Sequence, residues 1–303
     1  MAFTKQILGV LICCMITDLA ISQTGVNVFS GRVTRGKITH PEMHEVSGIV
    51  ESTAFPGHFW VHNDSGDGAR IFLIDSMGVH KSTFYLQGIQ AYDWEDIAWM
   101  NRDGRSYLLI GDIGDNYGRR NHVTVHLLEE PLAVNKSGVD TIANTAIRSF
   151  VLTYKDGPRD AESLFYDPVD EALYVISKRE LAVGVYRTLL PDTPPDTLTL
   201  TSVCTLPYTF FTGADIQRDG SEFIAKNLLN VFYWRRNAGE SICTMLARPA
   251  TKLAYVPEPQ GEAITFDRQR NGYFTLSEKA LGMEAVLYFY PRTISTGGTS
   301  GKE

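Results

Sequence analysis

The sequence predicts an all-β fold: a single β-propeller of five four-stranded blades, with the ring closed by the N-terminal strand. Three observations predict it. A short strand signal recurs five times, each recurrence leads into further strand-like runs at hairpin spacing, and the two ends of the chain hold complementary incomplete pieces of one unit. Six blades is the alternative count. The repeat also argues for one domain, since all-β folds of this length often form a single unit.

The recurring signal reads Ser47-Gly48-Ile49, Glu95-Asp96-Ile97, Glu162-Ser163-Leu164, Ala214-Asp215-Ile216 and Glu262-Ala263-Ile264. Between the aliphatic residues the spacings are 48, 67, 52 and 48. A second strand follows each signal, at 59–64, 107–112, 173–178, 222–227 and 272–278, across turns rich in Gly, Asp, Asn and Pro. Third strands follow at 70–75, 123–128, 183–188, 231–236 and 285–290. Fourth strands are expected at 82–86, 147–154, 200–206, and either 244–247 or 253–256. The fifth unit has no fourth strand, because the chain after Pro291 turns to Ser, Thr and Gly. The stretch 26–30 near the N-terminus is a strand with no unit of its own. Pairing the two closes the ring and covers a bare edge. The long second interval is then one blade with an outer loop at 129–144.

Outside the repeat, residues 1–22 read as a signal peptide. Lys5 precedes an apolar run from Ile7 to Ile16, and Ala20-Ile21-Ser22 has the small residues of a cleavage site. The run is shorter than the roughly 20 residues that span a bilayer, and no later stretch reads as a membrane span. The expected organisation is a leader at 1–22, the propeller domain at 23–292 and a disordered tail at 293–303, in a secreted, extracellular, monomeric protein.

Losing the leader removes one base, Lys5, and one acid, Asp18, so the net charge stays at -7. That balance excludes a nucleic-acid binder, which needs a basic face. Cys204 and Cys243 then remain, either as one disulfide or as two buried thiols. Asn135-Lys136-Ser137 is an N-glycosylation sequon in a polar loop. The chain has no Gly-x-Ser-x-Gly elbow, phosphate-binding loop, His-Glu-x-x-His or Cys-x-x-Cys motif, so serine-hydrolase, nucleotide and zinc chemistries find no support.

The first strand of a propeller blade lines the central channel. The residue two before each aliphatic mark therefore faces a common axis: Ser47, Glu95, Glu162, Ala214 and Glu262. Three converging carboxylates repel one another unless a cation or bases compensate. Lys178, Arg179, Lys226 and Lys279 end second strands at the same height. Two readings follow: a ring of ion pairs that ties the blades together, or a hard-cation site with bases that hold an anionic substrate. The loop 63–68 resembles the opening of a calcium loop but has Ile74 where an EF-hand needs Glu. Asp112-Ile113-Gly114-Asp115-Asn116 gathers oxygen side chains around a glycine. Both loops also suit tight turns.

The openings at 93–97, 160–164 and 259–264 resemble those of secreted phytase-like and esterase-like β-propellers. The resemblance spans most of the chain as a repeat pattern, with residue matches confined to these openings. It implies calcium bound by channel acids, here Glu95, Asp96, Glu162 and Glu262, and phosphate held by Lys178, Arg179, Lys226 and Lys279. Asp112 and Asp115 join the candidate metal ligands, and Glu162 and Glu262 are the candidate proton acceptors. The chain departs from the phytases in its incomplete acidic signatures, its five units and its Ala214, so phytate is not the expected substrate. The expected function is calcium binding at the channel with hydrolysis of a phosphoester. The alternative is a non-catalytic extracellular binding or matrix protein. Expected partners are a small anionic ligand or an extracellular glycan or protein.

Overall fold

A computed structural model describes residues 28–293 apart from Leu281. The expected leader at 1–22 and the expected tail at 293–303, Thr293 apart, lie outside the described residues. The fold is all-β, built from several antiparallel sheets. It begins with β1 (Val33–Lys37). Unit one holds β2 (Val46–Glu51), β3 (His58–Asn63), β4 (Arg70–Asp75) and β5 (His80–Leu86). Unit two holds β6 (Trp94–Arg102), β7 (Arg105–Asp112), β8 (Val123–Glu129), β9 (Val139–Ile142) and β10 (Ile147–Tyr154). Unit three holds β11 (Ala161–Asp167), β12 (Ala172–Ser177), β13 (Val183–Thr188) and β14 (Leu198–Leu206). Unit four holds β15 (Phe211–Ile216), β16 (Glu222–Asn227), β17 (Val231–Arg235), helix α1 (Ile242–Leu246) and β18 (Thr251–Lys252). Unit five holds β19 (Gly261–Phe266), β20 (Gly272–Ser277) and β21 (Val286–Pro291).

Within each unit the strands meander, each pairing with the next, except that in unit two β8 pairs with β10 and β9 leaves the sheet. Units two and three merge into one eight-stranded sheet, because residues Leu152 to Tyr154 of β10 pair in parallel with Leu198 to Leu200 of β14. The first strands of the units pack side by side in the order β2, β6, β11, β15, β19, and β19 packs again on β2. Five apolar clusters fill the spaces between successive units. The one between units one and two buries Trp60, Ile71, Leu108 and Ile110, and the one between units five and one buries Phe59, Phe72, Phe274 and Leu287. Second strands such as β12 and β20 are buried on both faces, so they read as mainly apolar runs rather than as alternation.

Three expectations need correction. The strand that completes unit five is β1, at 33–37, which pairs antiparallel with β21; near 26–30 the only described pairing is a single bridge from Phe29 to Arg292. The expected loop at 129–144 contains β9, which adds in parallel to the edge strand β5 of unit one and so covers it. In unit four the fourth strand is the short β18, and residues 244–246 are helical. The Ser241 side chain caps that helix by accepting the Thr244 N–H, and Ile242, Met245 and Leu246 bury its inner side. Cys243 on the helix is bonded to Cys204 on β14, with Cα atoms 5.8 Å apart, which staples the helix to the neighbouring unit.

Candidate functional site

In every unit the start of the first strand faces the end of the second: Val46 opposite Asn63, Trp94 opposite Asp112, Ala161 opposite Ser177, Phe211 opposite Asn227, Gly261 opposite Ser277. One residue further in, all five ladders slip, so one residue of each first strand is left without a cross-strand partner. Those residues are Ser47, Glu95, Glu162, Thr212 and Glu262. A bulge of this kind re-aims a side chain away from the regular pleat. The fourth unit is thus in a different register from the one the sequence suggested: its equivalent residue is Thr212, with the opening Thr212-Gly213-Ala214, and Ala214 takes the aliphatic mark. The Ser-Gly pair at 47–48 and the Thr-Gly pair at 212–213 were the available signal. Gly213 is needed there, because a Cβ would lie 2.5 Å from the Glu262 carbonyl oxygen of the next unit.

Around these bulges the chain gathers seven carboxylates in three linked groups: Asp64, Asp93 and Glu95; Glu95, Asp160 and Glu162; Asp64, Glu262 and Glu278. Within each group one oxygen per residue lies within 4.8 Å of the others. Asp64 and Asp93 are half-buried at the mouth, and the other five are buried beneath them. Glu95, Glu162 and Glu262, expected at the axis, are therefore brought together. Sequence reasoning missed Asp64, Asp93, Asp160 and Glu278 as members. The spacing Asp93-x-Glu95 and Asp160-x-Glu162 was a usable signal for two of them, since residues two apart at a strand entry share a face.

Bases offset only part of this charge. Lys178 donates to Glu162 Oε1, leaving Glu162 Oε2 buried without a partner. Arg179 donates to Asp160 Oδ2 at 2.5 Å and also to Asn116. Burial, reinforced by Asp64, Asp93 and Glu262, pushes the Glu95 carboxyl well above its ordinary range. Burial first, and then neighbouring acids, raise Asp64 and Asp93 each to about 6 and Glu278 to about 8. Burial also raises Glu262, against the pull of Lys178 and Lys226. Carboxylates held together at such cost form an arrangement that a cation would relieve.

The remaining candidates sit elsewhere. Asp96 accepts the N–H groups of Ile97, Leu164 and Ala214, at 2.9, 2.9 and 3.4 Å, and so ties the first strands of three units together. Asp112 accepts the N–H of Tyr92 at 2.9 Å and pairs with Arg120 at 2.7 Å, which shapes the loop that carries Asp93. Asp115 accepts the Arg120 N–H and donates its own N–H to Asp160 Oδ1, at 2.7 and 2.9 Å. Lys226 is fully buried, donates to the Gly261 carbonyl, and is lowered to about 8 by burial. Lys279 is exposed and lies 3.6 Å from Glu284. Asn135 is exposed, and its Oδ1 accepts the Ser137 N–H.

The donor set is all oxygen, without His or Cys, which suits a hard divalent cation rather than zinc or copper. Space has been kept for the carboxylates: a Cβ on Gly114 would lie 2.2 Å from Glu95 Oε1 and 2.4 Å from Asp93 Oδ2. Beside the mouth is a cavity of about 640 Å³, lined by Asp93 together with Tyr92, Asp115, Tyr117, Arg120 and His122. Among the described residues no helix is long and apolar enough to cross a membrane. Compared with known proteins, the chain matches no family model and is similar to no curated sequence.

Proposed function

We propose that the chain is a secreted five-bladed β-propeller that binds a divalent cation, calcium by the chemistry of its donors, at the acidic mouth of its axis, and that this ion serves the hydrolysis of a phosphoester. The cyclic order of the first strands and the five inter-sheet clusters support the propeller reading. The observation that carries the cation reading is the set of seven converging carboxylates, which keeps the buried Glu162 Oε2 unpartnered and leaves room for two acids at Gly114. Calcium takes six to eight oxygen ligands, which a crowded carboxylate set can supply.

Bound there, a divalent cation polarises a phosphoryl oxygen and makes a coordinated water more acidic. Glu262, whose Oε2 is met by the Ser47 hydroxyl at 3.5 Å, is placed to take a proton, and burial, which raises its pKa, makes it a stronger base than an ordinary glutamate. Glu162 offers its unpartnered Oε2 for the same task. The cavity that shares Asp93 with the carboxylates gives an anionic ligand a place beside the mouth.

One observation favours the second reading, a non-catalytic extracellular binding protein. None of the four bases expected to hold phosphate is free to do so: Lys178, Arg179 and Lys279 are paired with acids, and Lys226 is sealed from solvent. Calcium titration calorimetry, combined with turnover assays on phosphoester and carboxylester panels in calcium and in chelator, separates the two. Cation-dependent turnover that Glu162→Gln and Glu262→Gln abolish establishes the hydrolase. Calcium binding without turnover establishes the binding protein, and no calcium binding refutes both.

A further inference from the structure

The end of the molecule that carries the carboxylates also carries several of the most exposed apolar side chains among the described residues. Four of the five most exposed large apolar side chains lie there: Leu181 at 92%, Tyr117 at 81%, Leu229 at 68% and Tyr92 at 61%. Phe210 and Met283 join them, at 45% and 47%. All six sit on loops that enter first strands or leave second strands, and they come from units two to five, so they surround the acidic mouth rather than extend it to one side. Phe210 is held at φ 57°, an uncommon backbone for an aromatic residue, by its N–H bond to the Lys178 carbonyl at 2.8 Å. A backbone of that kind that presents an aromatic ring to water points to a use for the ring.

Exposed bases share this rim. Arg119 lies 5.4 Å over the Tyr117 ring, and Arg179 and Lys279 flank the mouth, exposed although each is already paired with an acid. Tyrosines, leucines and a phenylalanine interleaved with Arg and Lys form the composition that settles at a lipid–water boundary, with apolar tips among the acyl chains and bases at the headgroups. The acidic centre alone would repel anionic headgroups. A cation held there offsets part of that charge and leaves coordination positions that a headgroup phosphate or carboxylate can fill.

We propose that this end docks onto an anionic phospholipid surface when the carboxylates hold a divalent cation, with the six apolar tips inserting at the boundary. This rests on the cation reading above. The docking is peripheral and reversible, and it confines the chain to amphiphilic substrates or partners presented at that surface.

The test is sedimentation of the full chain with vesicles of phosphatidylserine and phosphatidylcholine, in calcium or chelator, beside calcium titration of the vesicle-free protein. The expected result is at least about tenfold more protein pelleted with anionic vesicles in calcium than in chelator, or than with pure phosphatidylcholine. Combining Leu181→Asp with Leu229→Asp, both surface changes, is expected to abolish pelleting while calcium binding in solution is retained. Calcium binding without wild-type pelleting overturns the docking and leaves the cation reading standing, whereas absent calcium binding sinks the cation reading first. Equal pelleting in chelator, or by the double variant, also overturns the proposal. So does calcium-induced self-association without pelleting, which would mark the rim as a protein interface.

Discussion

Replacing Asp64 by Asn is expected to stabilise the ion-free protein and to weaken its hold on a divalent cation, two effects that an ordinary structural aspartate would not combine. Asp64 is half-buried, its carboxyl faces Glu262, and among the described residues only the Ser65 N–H, at 2.5 Å, donates to it. Burial raises it from 3.8 to about 6, which sets the ionised folded form at a disadvantage of about 3 kcal/mol. Solvent screening at a half-buried position reduces this to about 1–3 kcal/mol. The sign follows from the direction of the shift. A folded pKa above the unfolded one favours folding while the group is protonated, so this contribution is fully present below 3.8 and is lost as pH rises through about 6. At pH 7.5 in chelator, Asp64→Asn therefore gains about 1–3 kcal/mol, or roughly 5 °C in Tm for a chain of this size. In calcium the gap narrows by about 1.4 kcal/mol, because the variant has lost one anionic ligand and binds on the order of tenfold more weakly. Differential scanning calorimetry of both proteins between pH 4 and 8, with and without calcium, reads both effects. A variant less stable than wild type in chelator at pH 7.5, or with unchanged calcium affinity, refutes the reasoning.

Two further outcomes are expected. Opening the Cys204–Cys243 bond by a double change to Ser frees a loop of 39 residues and costs about 4 kcal/mol by loop-closure entropy; an unchanged urea midpoint would show that the staple does not constrain the unfolded chain. Asp96→Ala strips partners from the buried N–H groups of Ile97 and Leu164 and is expected to cost about 2–5 kcal/mol in urea unfolding, without altering the calcium affinity of the folded protein. A large loss of affinity there would instead make Asp96 a ligand.

The strands were largely legible because their apolar runs are bounded by Gly, Asp, Asn and Pro, which is local information. Second strands such as β16 at 222–227 and third strands such as β4 and β13 stand at their expected limits. The disagreements occur where local pattern and packing diverge. Residues 244–247 look strand-like, yet Ser241 caps a turn of helix that the bond between Cys243 and Cys204 holds in place. The strand that completes unit five sits a few residues later than its β-rich neighbour at 26–30, because its partner in β21 selects the register.

By itself, then, the sequence determined the all-β class, most of the strands, and the acids at 95, 162 and 262 that the repeated openings align. Only the tertiary structure decided which side chains share the mouth. In all five first strands the bulge falls one residue in from the pair at the strand entry, and this common position puts Thr212 rather than Ala214 in line with the glutamates. Asp64 and Glu278, from the ends of second strands of neighbouring units, complete one carboxylate group with Glu262. Both effects depend on how far apart separate sheets stand when their apolar faces close on one another, a distance that no single stretch of chain encodes.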